Sequence, residues 1–268
     1  MKTIFITGAS SGIGKATARL FHERGWNVAA TMRSPEKEKE LTTLPNLLCL
    51  PLDVTDTDSI AHAVSRAIER FGSIDVLLNN AGFSLIGPFE TASPAEVLRQ
   101  YDTNVFGLMN VTRALLPHFR QRRQGTIINI ASIGGRIGFP LYSLYNSTKF
   151  AVEGFSESLS HELRPLGIQI KLIEPGVILT DFYGRSMAMT QNETSSAYEP
   201  YASQTLKKLM NVGTRGSTPE KAARKIFNAA RKRNNRLRYS IGADAKLLLF
   251  IKRLYPFRFL RWVLRRVT

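Results

Sequence analysis

The chain has 268 residues, 43% of them hydrophobic, and carries a formal net charge of +16. That length supports a sizeable core, and no linker-like, repetitive or low-complexity stretch divides it, so it reads as one α/β domain. A single cysteine, Cys49, excludes an intrachain disulfide and fits a reducing, cytoplasmic setting. His22, His62, His118 and His161 stand far apart without cysteine companions, and no metal site is expected.

Charge is unevenly placed. From residue 221 to residue 268, fifteen Lys and Arg stand against one acid, Asp244, so nearly all the excess belongs to the C-terminal part. No run of about twenty apolar residues occurs, which argues against a membrane-crossing helix. The first residues pass directly into a glycine motif, leaving no room for a signal peptide. Basicity alone, with no recognised nucleic-acid motif, does not support specific nucleic-acid binding.

In chain order, short β-branched and apolar runs at residues 3–7, 27–32, 47–52, 76–79, 126–130 and 168–173 read as strands. Longer stretches between them have helical periodicity, as at 59–71, where Ile60, Ala63, Val64, Ala67 and Ile68 share one face. This alternation predicts a single doubly wound, Rossmann-type parallel sheet with helices on both sides. Ligands of such sheets bind beyond the carboxyl ends of the strands, where strand order reverses.

The first strand leads into Thr7, Gly8, Ala9, Ser10, Ser11, Gly12, Ile13 and Gly14, followed by a helix. Gly8 suits the tight turn, Gly12 a close approach of backbone to a pyrophosphate, and Gly14 the packing of helix on strand. The free N–H groups of the helix start suit the anion. The second strand ends in Met32, Arg33 and Ser34 with no carboxylate to hold ribose hydroxyls. Arg33, assisted by Ser10, suits a 2′-phosphate, so NADP(H) is expected over NAD(H); a solvated Arg33 is the plain alternative.

Tyr145 and Lys149 lie four apart, which on a helix sets phenol and ammonium one turn from each other on one face. Together with residues 7–14, Asp53, Val54, Asn79, Asn80, Ala81, Gly82, Asn104, Ser132, Pro175 and Gly176, they form an ordered pattern over residues 1–180. In that pattern the chain resembles the short-chain dehydrogenase/reductase family in its common form. Glu174, Pro175, Gly176 and the extended C-terminus are similar to the branch that holds 17β-hydroxysteroid and retinol dehydrogenases.

The resemblance implies an NADP(H)-dependent oxidoreductase that interconverts a carbonyl and an alcohol. Tyr145 would be the acid for reduction and the base for oxidation. Lys149 would lower its pKa and bond the nicotinamide ribose, Ser132 would donate to the substrate oxygen, and Asn104 would hold a water linking Lys149 to solvent. Asp53, beside Val54, would accept from the adenine amino group, Asn80, Ala81 and Gly82 would line the adenosine side, and Pro175, Gly176, Val177 and Thr180 would hold the carboxamide. Each has a plainer role open to it: Asp53 and Thr180 as helix caps, Ser132 as a turn residue, Asn104 as a helix-distorting side chain, Tyr145 as a core aromatic. A nicotinamide-binding sensor or scaffold without turnover is the alternative function.

Residues 1–242 read as the catalytic domain, with a substrate lid at about 181–218 containing Phe182, Tyr183, Met187, Met189, Tyr198, Tyr201 and Met210. Ile133, Gly134, Phe139, Leu141 and Tyr142 are expected on the opposite wall, and an apolar ketone or aldehyde as substrate. Residues 243–268 form a basic amphipathic extension, suited either to peripheral contact with an anionic membrane or to packing over the substrate pocket. The family resemblance also implies a homodimer or homotetramer.

Overall fold

The computed structural model describes residues 1–180, 187–190, 197–213, 216–255 and 258, with backbone alone for 210–213. Its strands are β1 (Thr3–Thr7), β2 (Asn27–Met32), β3 (Leu47–Pro51), β4 (Val76–Asn79), β5 (Ser84–Ile86), β6 (Gly125–Ile130), β7 (Ile168–Pro175), β8 (Met187–Met189) and β9 (Arg238–Ile241). The helices are α1 (Gly12–Glu23), α2 (Thr57–Phe71), α3 (Pro94–Tyr101), α4 (Gly107–Arg122), α5 (Ser143–Leu163), α6 (Glu199–Gly213), α7 (Pro219–Arg231) and α8 (Ala243–Leu254).

Seven strands form one parallel sheet in the order β3-β2-β1-β4-β6-β7-β9. Strand side chains alternate between its two faces. Ile4 and Ile6 meet Ala18 and Phe21 of α1 and Ile226 and Phe227 of α7 on one side. Phe5 meets Ile60 of α2, Val111 and Leu115 of α4 and Leu159 of α5 on the other. Both faces are thereby buried, which is why the central strands read as continuous apolar runs. Order reverses at β1, which pairs with β2 on one side and β4 on the other, and this opens the crevice.

Three strands go beyond the expected six. β9 extends the sheet beside β7, and β5 and β8 form a small parallel pair outside it. The four residues of β9 give too short an alternation to stand out in the sequence: only Tyr239 and Ile241 are buried apolar residues. α2 starts two residues before the expected helix because Asp56 caps it, accepting from the N–H groups of Asp58 and Ser59 at 2.9 and 3.2 Å.

Candidate active site

The ends of β1 and β4 are stapled together at the glycine turn. Asn80 Nδ2 donates to the carbonyls of Thr7 and Gly8 at 3.0 and 2.9 Å, and the N–H groups of Asn80 and Ala81 donate to Thr7 Oγ1. Gly8 has φ +67°, and a Cβ there would stand 2.9 Å from Ala81 Cα. Gly14 packs behind the turn, where a Cβ would lie 2.3 Å from the Gly8 carbonyl oxygen, so its place is structural and off the cavity. Ser11 stands at the α1 N-cap in extended backbone without a side-chain capping bond. The first N–H groups of α1 are therefore left for an anion.

Apart from Gly14 and Asn104, every expected site residue borders one cavity of about 680 Å³. The glycine turn, the start of α1 and Arg33 all border it, a donor set suited to the phosphates of a dinucleotide. Gly12 has φ +53°, and a Cβ there would reach within 3.2 Å of Thr180 Cγ2, so the absent side chain leaves a slot between the turn and Thr180. Arg33 is exposed at the cavity edge after β2. Glu38, the nearby buried acid, is occupied by Lys15 Nζ at 2.9 Å and by the N–H groups of Glu40 and Leu41. Asp53 borders the cavity while its Oδ1 accepts from the N–H and hydroxyl of Thr55. Helix capping belongs to Asp56 instead.

At the other end, α5 carries Tyr145 and Lys149 into the cavity from one face. Lys149 Nζ lies 5.7 Å from the Tyr145 ring centroid and donates to the Ile130 carbonyl at 2.8 Å. Burial pushes the ammonium down to about 8, against an opposing pull from Glu153. Ser132 follows β6, and its Oγ accepts from the Gly134 N–H at 3.0 Å, which leaves the hydroxyl proton to donate elsewhere. Gly134 sits between the two: a Cβ there would be 3.3 Å from Ser132 Oγ and 3.6 Å from Tyr145 Cε1.

Asn104 lies in a π-helical turn, Asp102–Phe106, between α3 and α4. Its Oδ1 accepts from the Phe83 N–H at 3.0 Å and its Nδ2 donates to the Phe83 carbonyl at 2.8 Å and to Thr148 Oγ1 at 3.2 Å. The side chain thus braces the strand-end loop against α5. Wide turns of this kind recur at functional sites because they push one residue inward.

A family model described as short chain dehydrogenase matches residues 2–191. The chain belongs to the short-chain dehydrogenase family. It is an oxidoreductase acting on CH–OH groups. It is similar to a 3-ketodihydrosphingosine reductase of Bacteroides thetaiotaomicron, at 38% identity over 91% of this chain and 89% of the relative. It is likewise similar to retinol dehydrogenase 8 of Bos taurus, at 34% identity over 89% and 83%. Among solved structures, ElxO with NADP bound superposes with a TM-score of 0.74, at 30% identity over 89% of this chain and 97% of that one.

The cavity of this short-chain dehydrogenase is also lined by Phe83, Phe139, Tyr142, Met187, Leu209 and Leu248. Of the expected opposite wall, Ile133, Gly134, Phe139 and Tyr142 border the cavity. Leu141 is absent from the lining; its carbonyl instead accepts from the Gly87 N–H at 3.0 Å. Of the expected lid, Met187 borders the cavity, whereas Met189 and Tyr201 are exposed. Phe182, Tyr183 and the Met210 side chain lie outside the described residues.

Sequence reasoning missed Asp244 and Leu248 as parts of the site. Asp244 Oδ2 accepts from the Val177 N–H at 2.8 Å, and a Cβ on Gly176 would collide with that carboxylate. The start of α8 thereby holds the loop after β7. Beneath the site, Glu153 and Glu174 share a pair of arginines. Arg238 meets Glu153 at 2.9 Å and Glu157 at 2.7 Å, and Arg136 meets Glu174 at 2.9 Å. Glu153 Oε1 has no hydrogen-bond partner among the described residues, and burial raises its carboxyl to about 7.

Proposed function

We propose that the enzyme is an NADP(H)-dependent reductase of apolar ketones or aldehydes, with Tyr145 as its proton donor. One observation carries this reading: Tyr145, Ser132 and Lys149 border the same cavity as the glycine turn and Arg33. The NADP-bound ElxO structure and the relatives named for 3-ketodihydrosphingosine and retinol support the cofactor and the lipophilic class of substrate.

When bound, the reduced nicotinamide supplies the hydride. Ser132 donates its free proton to the carbonyl oxygen and orients it, and the phenol of Tyr145 gives that oxygen its proton as negative charge builds there. The ammonium of Lys149 favours the resulting phenolate electrostatically. Reprotonation of Tyr145 then completes the cycle, with Asn104 holding the loop that borders this path. Arg33 offers a planar fork of donors to a 2′-phosphate, and the region ending β2 presents no competing carboxylate to the cavity. The apolar and aromatic groups in the cavity lining favour a substrate with a hydrocarbon body. Self-association is part of the same proposal, supported by Phe106 and Phe150, which are 49% and 46% exposed beside Asn104 and Lys149; light scattering reads it directly.

The test is a panel of long-chain and aromatic ketones, aldehydes and the matching alcohols with NADPH and NADP, repeated with NADH and NAD. NADPH-dependent loss of apolar carbonyls is expected. Clear preference for NADH removes the role given to Arg33, and no turnover of any panel member favours a nicotinamide sensor.

A further inference from the structure

α8 has two apolar sides with different neighbours. Leu248, Leu249 and Ile251 pack with Ile137 and Phe139, and Leu248 borders the cavity. Leu247, Phe250 and Leu254 instead are 59%, 59% and 57% exposed. Their spacing of three and four residues lines them up as one stripe. Single exposed hydrophobic residues are ordinary, but three large ones in line mark a contact surface.

Along α8 itself, the charge after Asp244 is of one sign. Lys246 and Arg253 are both exposed along it, and Asp244 is the last acid in the sequence. In sequence, the chain beyond 255 continues with Phe257, Phe259, Trp262 and Leu264 among four arginines. Pairing with a second copy through this stripe would set like charges against each other. A surface that offers hydrocarbon beneath negative headgroups meets both the stripe and its cations.

We propose that the outer side of α8 docks on an anionic lipid bilayer. Because the inner side of the same helix forms part of the cavity wall, docking brings the substrate cavity to the membrane, where apolar carbonyl compounds partition. Leu247, Phe250 and Leu254 enter the acyl boundary while Lys246 and Arg253 meet the headgroups. This goes beyond the proposed reaction, and its test reads binding, so either can fail alone.

The full chain is sedimented with vesicles of phosphatidylcholine alone and with vesicles containing phosphatidylglycerol. Binding to the anionic vesicles is expected, weakening at high salt. Leu247→Ser/Phe250→Ser/Leu254→Ser is expected to lower vesicle affinity at least about tenfold, and Lys246→Glu/Arg253→Glu several-fold, with circular dichroism of both matching the parent. The proposal is overturned if the parent stays in the supernatant, or if the triple serine variant sediments as the parent does. It is also overturned if that variant loses a parental dimer while vesicle binding persists, which would assign the stripe to a second copy.

Discussion

Glu153 follows Lys149 by one turn of α5, and the two side chains are 4% and 6% exposed. Burial acts on them in opposite senses, lowering the lysine to about 8 and raising the carboxyl to about 7, while the negative charge of Glu153 supports the ammonium. Glu153→Gln removes that support, so Lys149 gives up its proton at lower pH. The alkaline limb of kcat/KM for carbonyl reduction should move down by roughly half to one pH unit. Superimposable profiles for parent and variant would show that the two groups act independently.

The same carboxyl gives stability a pH dependence. Its folded value of about 7 exceeds the ordinary 4.5, so the folded state holds more protons than the unfolded chain between those limits. Its contribution is complete below 4.5 and is lost as pH rises through 7. Lys149 works in the other window: its folded value of about 8 lies below 10.5, so its contribution is present above 10.5 and is lost as pH falls through 8. Melting curves at pH 5 and pH 7.5 (about the two sides of the carboxyl's range) should differ more for the parent than for Glu153→Gln. An equal difference in both proteins would contradict the raised value.

Tyr145→Phe removes the hydroxyl and little else. A loss of about 10² to 10⁴ in kcat is expected, the usual span for removing a general acid. NADPH affinity, followed by fluorescence, should stay within about threefold, since less than one hydrogen bond's worth of binding is at stake. Near-normal turnover would assign proton delivery to another group.

Arg33→Ala tests the cofactor phosphate. Without the guanidinium's charge-assisted hydrogen bond to that phosphate, KM for NADPH should rise roughly tenfold to hundredfold while KM for NADH stays nearly unchanged. Equal effects on the two cofactors would return Arg33 to the solvated surface.

Asp244→Ala leaves the buried side of the Val177 N–H without its acceptor. The loop after β7 should loosen, with a loss of about 1–3 kcal/mol in stability and a weaker grip on cofactor. Asp244→Asn, which keeps an accepting oxygen, should recover most of both in thermal melts and cofactor titration. An Asn variant as impaired as Ala, or no effect of Ala, argues against this anchor.

These residues also mark where sequence reading stopped. The glycine turn was legible because it stands between a strand and a helix, and Ser132, Tyr145 and Lys149 because their order and spacing resemble the family's. Asp244 was not, because its partner is the Val177 N–H, 67 residues away, and a lone acid in a basic tail carries no local signal. Arg238 and Glu153 meet across 85 residues, on an edge strand too short to register. The π-helical turn around Asn104 was open in outline, as a helix-distorting side chain, but local periodicity does not reveal the added backbone residue in the turn. Legibility therefore followed contact range: local geometry was readable, and the braces that hold it were not.

The pairing of β7 with β9 has a bearing on how such a site changes over time. Residues 172–175 of β7 run in register with Arg238–Ile241, and the Gly176 N–H donates to the Ile241 carbonyl at 2.9 Å. The chain that leaves β7 at Gly176 thus returns to an adjacent, fixed point of the same sheet at β9, by way of α7, whose Ile226 and Phe227 belong to the core. Insertions and deletions between Gly176 and α7 need not shift the strand that leads to Ser132 or the helix that carries Tyr145. Selection can exchange what the enzyme grips while Ser132 and Tyr145 stay where they are.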